Sequence, residues 1–240
     1  MKVLAHRGAS GAYPENTLLA FEKAIEEGAD GVEFDLHRTK DGVLVVHHDF
    51  DLKRTAGTPL VIKDTNYAEL RTHDLGAWKG TFPKQVLPSL EEVLAVFRDT
   101  DLMINIELKA GSCMYPGIEA ELLQVLKLEA NPARFVLSSF DHPALVTLRA
   151  LGSPYPLGVL TEARWIAPWV YIETHDFQTY HPNYLTLNKE TVKELKTRNI
   201  PIYTYTVNSK LSAKHMMKLG VDGIITNTPA MLKKQLNMKR

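Results

Sequence analysis

Three features of the sequence predict an α/β fold, in the form of a TIM (β/α)₈ barrel with a small insertion subdomain after the third strand. Short apolar runs typical of strands alternate with helical patterns, which predicts a parallel sheet covered on both sides. The segments EGADGVEFD (27–35) and LGVDGIITN (219–227) repeat one helix-to-strand junction near the two ends of the chain, and this favours a closed barrel. The length of 240 residues suits such a barrel, so we expect one domain over residues 1–240.

The strand-like runs exceed by one the number that a barrel needs. They lie at 3–6, 31–36, 43–48, 103–108, 135–139, 157–160, 184–187, 202–207 and 222–226. Helical patterns lie near 17–27, 90–98, 117–130, 142–151, 189–198, 209–219 and 228–238. Because the RTKDG turn after the second run leaves no room for a crossover helix, either one βα unit is irregular or one run is not a barrel strand.

Several predicted helix ends carry residues that favour a boundary. Gly28 and Gly220 lie where the C-terminus of a helix favours a left-handed residue. The segment SLEE, which begins at Ser89, is typical of a capping box in which Glu92 reaches back to the start of the helix.

One connection is far longer than the others. About 40 residues separate Asp49 from the helix that begins near Ser89, whereas βα loops usually have about 2–6 residues. We expect an insertion subdomain at about 50–88, lying over the C-terminal face of the strands, where barrel active sites are built.

Composition and charge exclude several classes of protein. The formal net charge is zero, which argues against a nucleic-acid partner. Cys113 is the only cysteine, so no intramolecular disulfide is expected. The apolar stretch VLA at the N-terminus is too short for a signal peptide, and no run approaches the length of a membrane span. We therefore expect a cytoplasmic protein without stable membrane association; the sequence does not indicate its oligomeric state.

Two predicted strands carry carboxylates on one face. In VEFDLH, alternation places Glu33, Asp35 and His37 together. Two neighbouring carboxylates would raise each other's pKa, and a hard cation such as Mg²⁺ or Ca²⁺ removes that penalty. The alternative is the polar face of an edge strand, but the flanking apolar residues favour a metal site. His37 itself is better explained as a packed or surface histidine.

The segment MINIELKAG repeats this pattern. Asn105, Glu107 and Lys109 share one face, so Glu107 can supply a third carboxylate to the same cation. Lys109 can hold a phosphate oxygen, or it can form a salt bridge to Glu107 without any ligand.

Two further strands end in histidines. VLAHRG ends in His6 and Arg7, and VLVVHHD ends in His47, His48 and Asp49. Because side chains alternate along a strand, only one of His47 and His48 can face a shared site. Imidazoles are common acid–base groups. A barrel mouth that handles an anionic ester would explain all of these residues, with one imidazole accepting a proton, another donating one and Arg7 holding the anion.

These motifs, in order, resemble the glycerophosphodiester phosphodiesterase family over residues 3–229. The matching segments are AHRGASGAYPENTLLAF, GADGVEFDLHRTKDGVLVVHHD, LPSLEEVL, INIELK, LSSF, YTYTVN and GVDGIITNTP. The resemblance implies a TIM barrel that hydrolyses glycerophosphodiesters, such as glycerophosphocholine or glycerophosphoethanolamine, to sn-glycerol 3-phosphate and an alcohol. It also implies one divalent cation, Mg²⁺ or Ca²⁺.

The resemblance also implies roles for individual residues. By position in the matching motifs, the catalytic pair is His6 and His48, the metal ligands are Glu33, Asp35 and Glu107, the phosphate-binding residues are Arg7 and Lys109, and Glu15 lies just behind the site. The family often has Trp at the position of Tyr205 and Asp at the position of Asn227, so the wall of the pocket differs here.

Other functions stay open on the sequence alone. A related barrel phosphodiesterase acting on lysophospholipids, as a lysophospholipase D does, or a phospholipase C would carry similar motifs. The lack of an apolar anchoring segment counts against lipid substrates. A non-catalytic barrel that binds phosphate ligands is a further alternative, but both strand-end histidines are present. The aromatic residues in segment 163–184 can either form a cage for choline or pack a helix face.

Overall fold

The computed structural model describes residues 1–237 and confirms the predicted α/β barrel. The strands are β1 (Lys2–His6), β2 (Gly31–Arg38), β3 (Leu44–Val46), β4 (Met103–Leu108), β5 (Phe135–Ser139), β6 (Leu157–Thr161), β7 (Thr179–Pro182), β8 (Tyr203–Thr204) and β9 (Gly223–Thr226). Eight of them are parallel neighbours in the order β7-β6-β5-β4-β2-β1-β9-β8. Single bridges between Tyr180 and Ile202 and between Asn183 and Tyr205 join the two outermost strands, so the sheet closes on itself.

Helices surround this sheet. They are α1 (Leu18–Glu26), α2 (Lys53–Ala56), α3 (Tyr67–Leu70), α4 (Leu90–Val96), α5 (Ile118–Leu126), α6 (His142–Ala150), α7 (Pro168–Thr174), α8 (Lys189–Thr197), α9 (Lys210–Leu219) and α10 (Pro229–Asn237). The last residue of the helix predicted at 228–238 lies outside the described residues. None of the helices within residues 1–237 combines the length and the apolar character that a membrane crossing requires.

The extra strand-like run is β3, which pairs antiparallel with β2 and is not a barrel strand. The RTKDG turn makes this reversal possible. The Thr39 hydroxyl donates to Asp41, and the backbone N–H of Val43 donates back to the Thr39 hydroxyl. Gly42 adopts a φ of 88°, a conformation that costs other residues energy. The chain therefore leaves the barrel after its second parallel strand, β2, and passes through β3 before the segment at about 50–88.

The segment that begins in β3 has an apolar cluster of its own. Its buried members are Val45, Leu52, Ile62, Leu70, Leu75 and Leu87, which form a cluster separate from the main core. The main core lies between the outward-facing side of the strands and the surrounding helices. The boundaries of an insertion subdomain, about 50–88, stay a prediction, which this separate cluster supports.

The repeated junction has the same structure at both ends of the chain. The carboxylate of Asp30 accepts a hydrogen bond from the backbone N–H of Val3 at 2.8 Å, and that of Asp222 accepts one from Ile202 at 2.9 Å. Each aspartate thereby fixes the start of its own strand against the neighbouring one. At Gly31 a β-carbon would lie 2.6 Å from the Met103 carbonyl oxygen, so only glycine fits.

The helix boundaries described here carry the left-handed glycines and the capping box that the sequence predicts. Gly28 and Gly220 have φ angles of 71° and 88°, as predicted for left-handed residues at helix ends. Ser89 and Glu92 form the reciprocal hydrogen bonds of a capping box at the start of α4.

The strand predicted at 184–187 is wrong. The seventh barrel strand is β7, and Tyr184–Thr186 form a short 3₁₀ turn in which the Asn183 side chain accepts a hydrogen bond from the Leu185 N–H. The sequence TYHP gave no strand signal because its histidine and proline interrupt the apolar pattern. Helix α7 was not among the predicted helices, although packing on a helix face was one of the two alternatives for the aromatic residues of segment 163–184.

We expect Gly31→Ala to destabilise the protein more than Gly42→Ala. The added methyl at position 31 meets the Met103 carbonyl oxygen at 2.6 Å and the Met103 β-carbon at 2.9 Å, and this overpacking costs about 1–3 kcal/mol or more. A β-carbon at Gly42 meets no atom within 4 Å, so Gly42→Ala costs only the strain of the positive φ. The free energy of unfolding in urea measures both changes. An equal or smaller loss for Gly31→Ala would contradict the close approach of β2 and β4.

Candidate active site

A cavity of about 170 Å³ lies at the C-terminal ends of the barrel strands. Eight of the residues named from the sequence line it: His6, Arg7, Glu33, His48, Asn105, Glu107, Lys109 and Tyr205. Strand register brings them together, because His6 pairs with Glu33 across β1 and β2, and Asp35 pairs with Glu107 across β2 and β4. Paired residues of parallel strands face the same side of the sheet, here the barrel interior.

Three carboxylates form the floor of this site. Glu33, Asp35 and Glu107 each place an oxygen within 4.8 Å of the other two, and all three are buried. Burial, together with Asp35 and Glu107, raises the pKa of Glu33 well above its usual value. Burial and Asp35 likewise raise the pKa of Glu107 to about 7. Such a cluster is unfavourable when all three groups are ionised.

The cluster fits a hard cation. Oxygen ligands suit Mg²⁺ and Ca²⁺, and none of residues 1–237 gives the buried Oδ1 atom of Asp35 a hydrogen bond. A cation among the three residues would both neutralise their repulsion and occupy that oxygen. The donor set therefore has the chemistry of a divalent-metal site.

Two fixed positive charges flank the carboxylates. Lys109 Nζ lies 2.8 Å from Glu107 Oε1 and 3.4 Å from Asp35 Oδ1, so the salt bridge considered for Lys109 is present. Arg7 Nε lies 3.4 Å from Asp35 Oδ2. Although burial opposes it, Arg7 and Lys109 hold the pKa of Asp35 below its usual value. Because both cations also line the cavity, they can contact an anionic ligand there.

His6 is held by a neutral side chain. Its Nδ1 lies 2.6 Å from the Oδ1 atom of Asn227. An amide oxygen only accepts hydrogen bonds, so Nδ1 carries the proton and Nε2 has its lone pair free. That Nε2 lies 3.8 Å from Glu33 Oε2. Burial and the nearby Arg7 lower the pKa of His6 to about 4.

His48 is held by a carboxylate. Its Nδ1 lies 2.7 Å from Asp49 Oδ1, which leaves Nε2 free. Burial and the charges of Arg7 and Lys109 lower the pKa of His48, while Asp35 and Asp49 act in the opposite direction. The two histidines thus differ in the charge of the group that orients them.

The other two histidines of this region do not line the cavity. As alternation predicts, His47 points away; it is buried, and its Nε2 lies 3.2 Å from the Asp51 carbonyl oxygen. His37 is packed, with Nδ1 2.7 Å from the Tyr115 hydroxyl and Nε2 3.3 Å from the His48 carbonyl oxygen.

Two predicted residues lie behind the cavity wall. Asp35 is almost fully buried beneath it and accepts a hydrogen bond from the Asn16 amide at 2.8 Å. Glu15 contacts Arg7 at 2.8 Å and also binds Arg54, a residue of the insertion.

Sequence reasoning missed most of the opposite wall. That wall is formed by Phe140, Leu160, Glu162, Tyr205, Thr206 and Ile225. The family resemblance had already placed Tyr205 in the pocket wall. Phe140 and Glu162 each directly follow a barrel strand, as Tyr205 does, so the rule that barrel sites form at strand ends would have found them. The Tyr205 hydroxyl has two acceptors within hydrogen-bond distance for its one proton, the carboxylate of Glu162 at 3.1 Å and the Thr161 carbonyl oxygen at 2.9 Å.

The aromatic residues of segment 163–184 do not line this cavity. Trp165 packs edge-on against Tyr171 with ring centroids 5.0 Å apart, and Phe177 and Tyr180 are buried in the main core. Packing therefore accounts for this segment, and a choline cage does not.

Comparison with known proteins gives one consistent result. The sequence model of the glycerophosphoryl diester phosphodiesterase family matches residues 6–231. A glycerophosphodiester phosphodiesterase of Bacillus altitudinis is 40% identical over 232 residues, which cover 95% of each chain. One of Caldanaerobacter subterraneus subsp. tengcongensis is 37% identical over 231 residues, covering 96% of this chain and 95% of that protein.

A solved structure is also closely similar. An Oleispira antarctica phosphodiesterase, in complex with the product sn-glycerol-3-phosphate, superimposes with a TM-score of 0.93 at 29% sequence identity. The match covers 99% of this chain and 97% of that one.

The carboxylate cluster leads to a prediction about stability. In chelator, we expect Glu33→Gln to unfold at a higher temperature than the unsubstituted protein, because it removes a charge whose ionisation the folded state disfavours. With saturating Mg²⁺ or Ca²⁺ the order should reverse, because only the intact cluster gains binding energy from the cation.

Thermal unfolding with and without cation measures this reversal. Glu119→Gln is the matched control, since Glu119 is equally buried but binds Ser112 away from the cluster. The same cation-dependent shift in Glu33→Gln as in the unsubstituted protein would contradict a metal site at these residues.

Proposed function

Since the chain belongs to the glycerophosphoryl diester phosphodiesterase family and is an enzyme of that class, we propose that it hydrolyses glycerophosphocholine and glycerophosphoethanolamine to sn-glycerol 3-phosphate and the free alcohol. The observation that carries the proposal is one cavity lined by two free imidazole nitrogens, two cations and a three-carboxylate cluster. The product held by the Oleispira antarctica relative supports sn-glycerol 3-phosphate as the product here.

Binding of the phosphodiester would depend on charge. Arg7 and Lys109 would hold the phosphate oxygens, since both line the cavity and keep their positive charge. A divalent cation held by Glu33, Asp35 and Glu107 would supply Lewis-acid stabilisation of charge on the phosphoryl oxygens. Lys109 would be paired less tightly once the charge of these carboxylates is neutralised, and its ammonium group could then turn to the substrate.

The two histidines would divide the proton transfers. A carboxylate stabilises a protonated imidazole better than an amide does, so His48, held by Asp49, suits the general acid that protonates the departing alkoxide. His6, held by neutral Asn227 with its Nε2 lone pair free, suits the general base. The nucleophile is either water or the neighbouring glycerol hydroxyl, and the same base serves both.

The proposal predicts cation-dependent turnover. Glycerol 3-phosphate should be released from glycerophosphocholine and glycerophosphoethanolamine, and exhaustive chelation should abolish the reaction until Mg²⁺ or Ca²⁺ is restored. A coupled assay for glycerol 3-phosphate measures this, with lysophosphatidylcholine as a comparison substrate. Full turnover in chelator would contradict the metal role, and no turnover with any diester would favour a non-catalytic barrel.

Substitution of the adjacent residues His47 and His48 should have very different effects on kcat. We expect His48→Ala, like His6→Ala, to lower kcat by about 10²–10⁴, the usual contribution of a general acid or base. His47→Ala should leave kcat nearly unchanged and reduce stability instead, because His47 bonds within the insertion. Steady-state kinetics and thermal unfolding separate the two effects. Equal losses of kcat at positions 47 and 48 would contradict this assignment.

A change in the leaving group of the substrate should distinguish the roles proposed for His48 and His6. A p-nitrophenyl ester of glycerophosphate releases a weakly basic phenolate that needs little protonation, so His48→Ala should lose much less activity with it than with glycerophosphocholine. His6→Ala should lose similar activity with both substrates. The ratio of kcat values measures this, and the opposite pattern would exchange the two roles.

A further inference from the structure

Arg54 in α2 connects the insertion to the active site. Its Nε donates to Asp49 Oδ2 at 2.7 Å, while Nη1 and Nη2 donate to the two oxygens of Glu15 at 3.0 and 2.7 Å. One planar guanidinium therefore bonds two carboxylates that lie 34 positions apart in sequence, at 15 and 49. Such a fork fixes geometry as well as charge.

Each of these carboxylates contacts a residue that lines the cavity. The other oxygen of Asp49 lies 2.7 Å from His48 Nδ1, and Glu15 Oε1 also accepts from Arg7 at 2.8 Å. Arg54 itself does not line the cavity, and its side chain is 41% exposed. It therefore acts on the site only through its two partners.

Asp49 needs this partner to keep its orientation. It is one of the first residues after β3, with no regular secondary structure to hold it. With Arg54 in place, both oxygens of Asp49 are engaged, one by the guanidinium and one by His48. Without Arg54, the Oδ2 atom would lose its partner and the carboxylate could rotate away from the imidazole.

From these contacts we propose that Arg54 is a positioning residue, which Glu15 anchors and which holds Asp49 against His48. The inference rests on the catalytic role proposed for His48. It assigns the insertion a definite part in the reaction, since α2 supplies the group that fixes the tautomer and the direction of the catalytic imidazole. The role does not require Arg54 to touch the substrate.

The chain offers a closely matched control in Arg71. This arginine also lies in the insertion, has a side chain 36% exposed, and bonds a carboxylate, that of Glu92, at 2.7 Å. Each arginine also lies over an aromatic ring, Arg54 over Trp78 at 5.5 Å and Arg71 over Tyr67 at 5.3 Å. Arg71 has no contact with His48, Asp49 or Glu15 among the hydrogen bonds and ion pairs of residues 1–237.

The test compares Arg54→Gln with Arg71→Gln in the cation-loaded enzyme. We expect Arg54→Gln to lower kcat by about 10–100-fold, as expected when the partner of a functional ligand is removed, while Arg71→Gln stays near the activity of the unsubstituted enzyme. In spectra of ¹⁵N-labelled histidine rings, the His48 signal should move in Arg54→Gln and stay in place in Arg71→Gln. Thermal unfolding of both variants checks the fold.

Chemical rescue of an Arg54 variant provides a second, independent test. Arg54→Ala leaves room for a free guanidinium ion, which should restore part of kcat in this variant but not in His48→Ala. If Arg54→Gln does not fold, Arg54→Lys keeps the charge but bonds through one nitrogen, and it should give an intermediate kcat.

The proposal fails if the kcat of Arg54→Gln equals that of Arg71→Gln, or if kcat falls while the His48 ring signal does not move. Failure of the underlying mechanism has a different signature. In that case His48→Ala would keep full activity whatever Arg54→Gln does.

Discussion

The burial of three carboxylates at the ends of two neighbouring strands constrains the rest of this structure. Glu33, Asp35 and Glu107 lie in one site, and among the arginines and lysines of residues 1–237 it is Arg7 and Lys109 that form ion pairs with them. Buried charge is unfavourable unless it is paired. The pairing of β2 with β4 places all three side chains on the inner side of the sheet. This placement does not depend on whether their mutual repulsion is compensated.

The remaining groups of the site can be understood as responses to that charge. Arg7 and Lys109 pair with Asp35 and keep it ionised, while the cluster keeps both cations beside the cavity. The histidines stand further out, one oriented by an amide and one by a carboxylate. This arrangement would let the charged floor bind cation and phosphate while the two imidazoles move protons at either side of the phosphorus.

Much of this was predictable from local sequence. Alternation along VEFDLH and MINIELKAG placed the carboxylates on common faces, and the paired His47 and His48 were separated correctly, because the two-residue period of a strand needs no tertiary information. The antiparallel β3 and the strand at 179–182 were not predictable in the same way. Their assignment depends on which neighbour the segment pairs with, and TYHP has little strand propensity of its own.

The contacts that hold His6 and Glu15 were beyond sequence reasoning for a different reason. Asn227 reaches His6 from the other end of the chain, and Arg54 of α2 reaches Glu15 across 39 positions of sequence. Pairing over such separations is set by closure of the barrel and by packing of the insertion. Residue type alone therefore could not indicate either contact.

The most direct test of this account is anomalous diffraction from crystals grown with Mn²⁺, a cation that suits carboxylate ligands. We predict one strong manganese peak within about 2.6 Å of oxygens from Glu33, Asp35 and Glu107. Displacement of Lys109 Nζ from Glu107 should accompany it. A peak at other residues, or none at this cluster with Lys109 still bound to Glu107, would contradict the claim that the buried carboxylates exist to hold a metal.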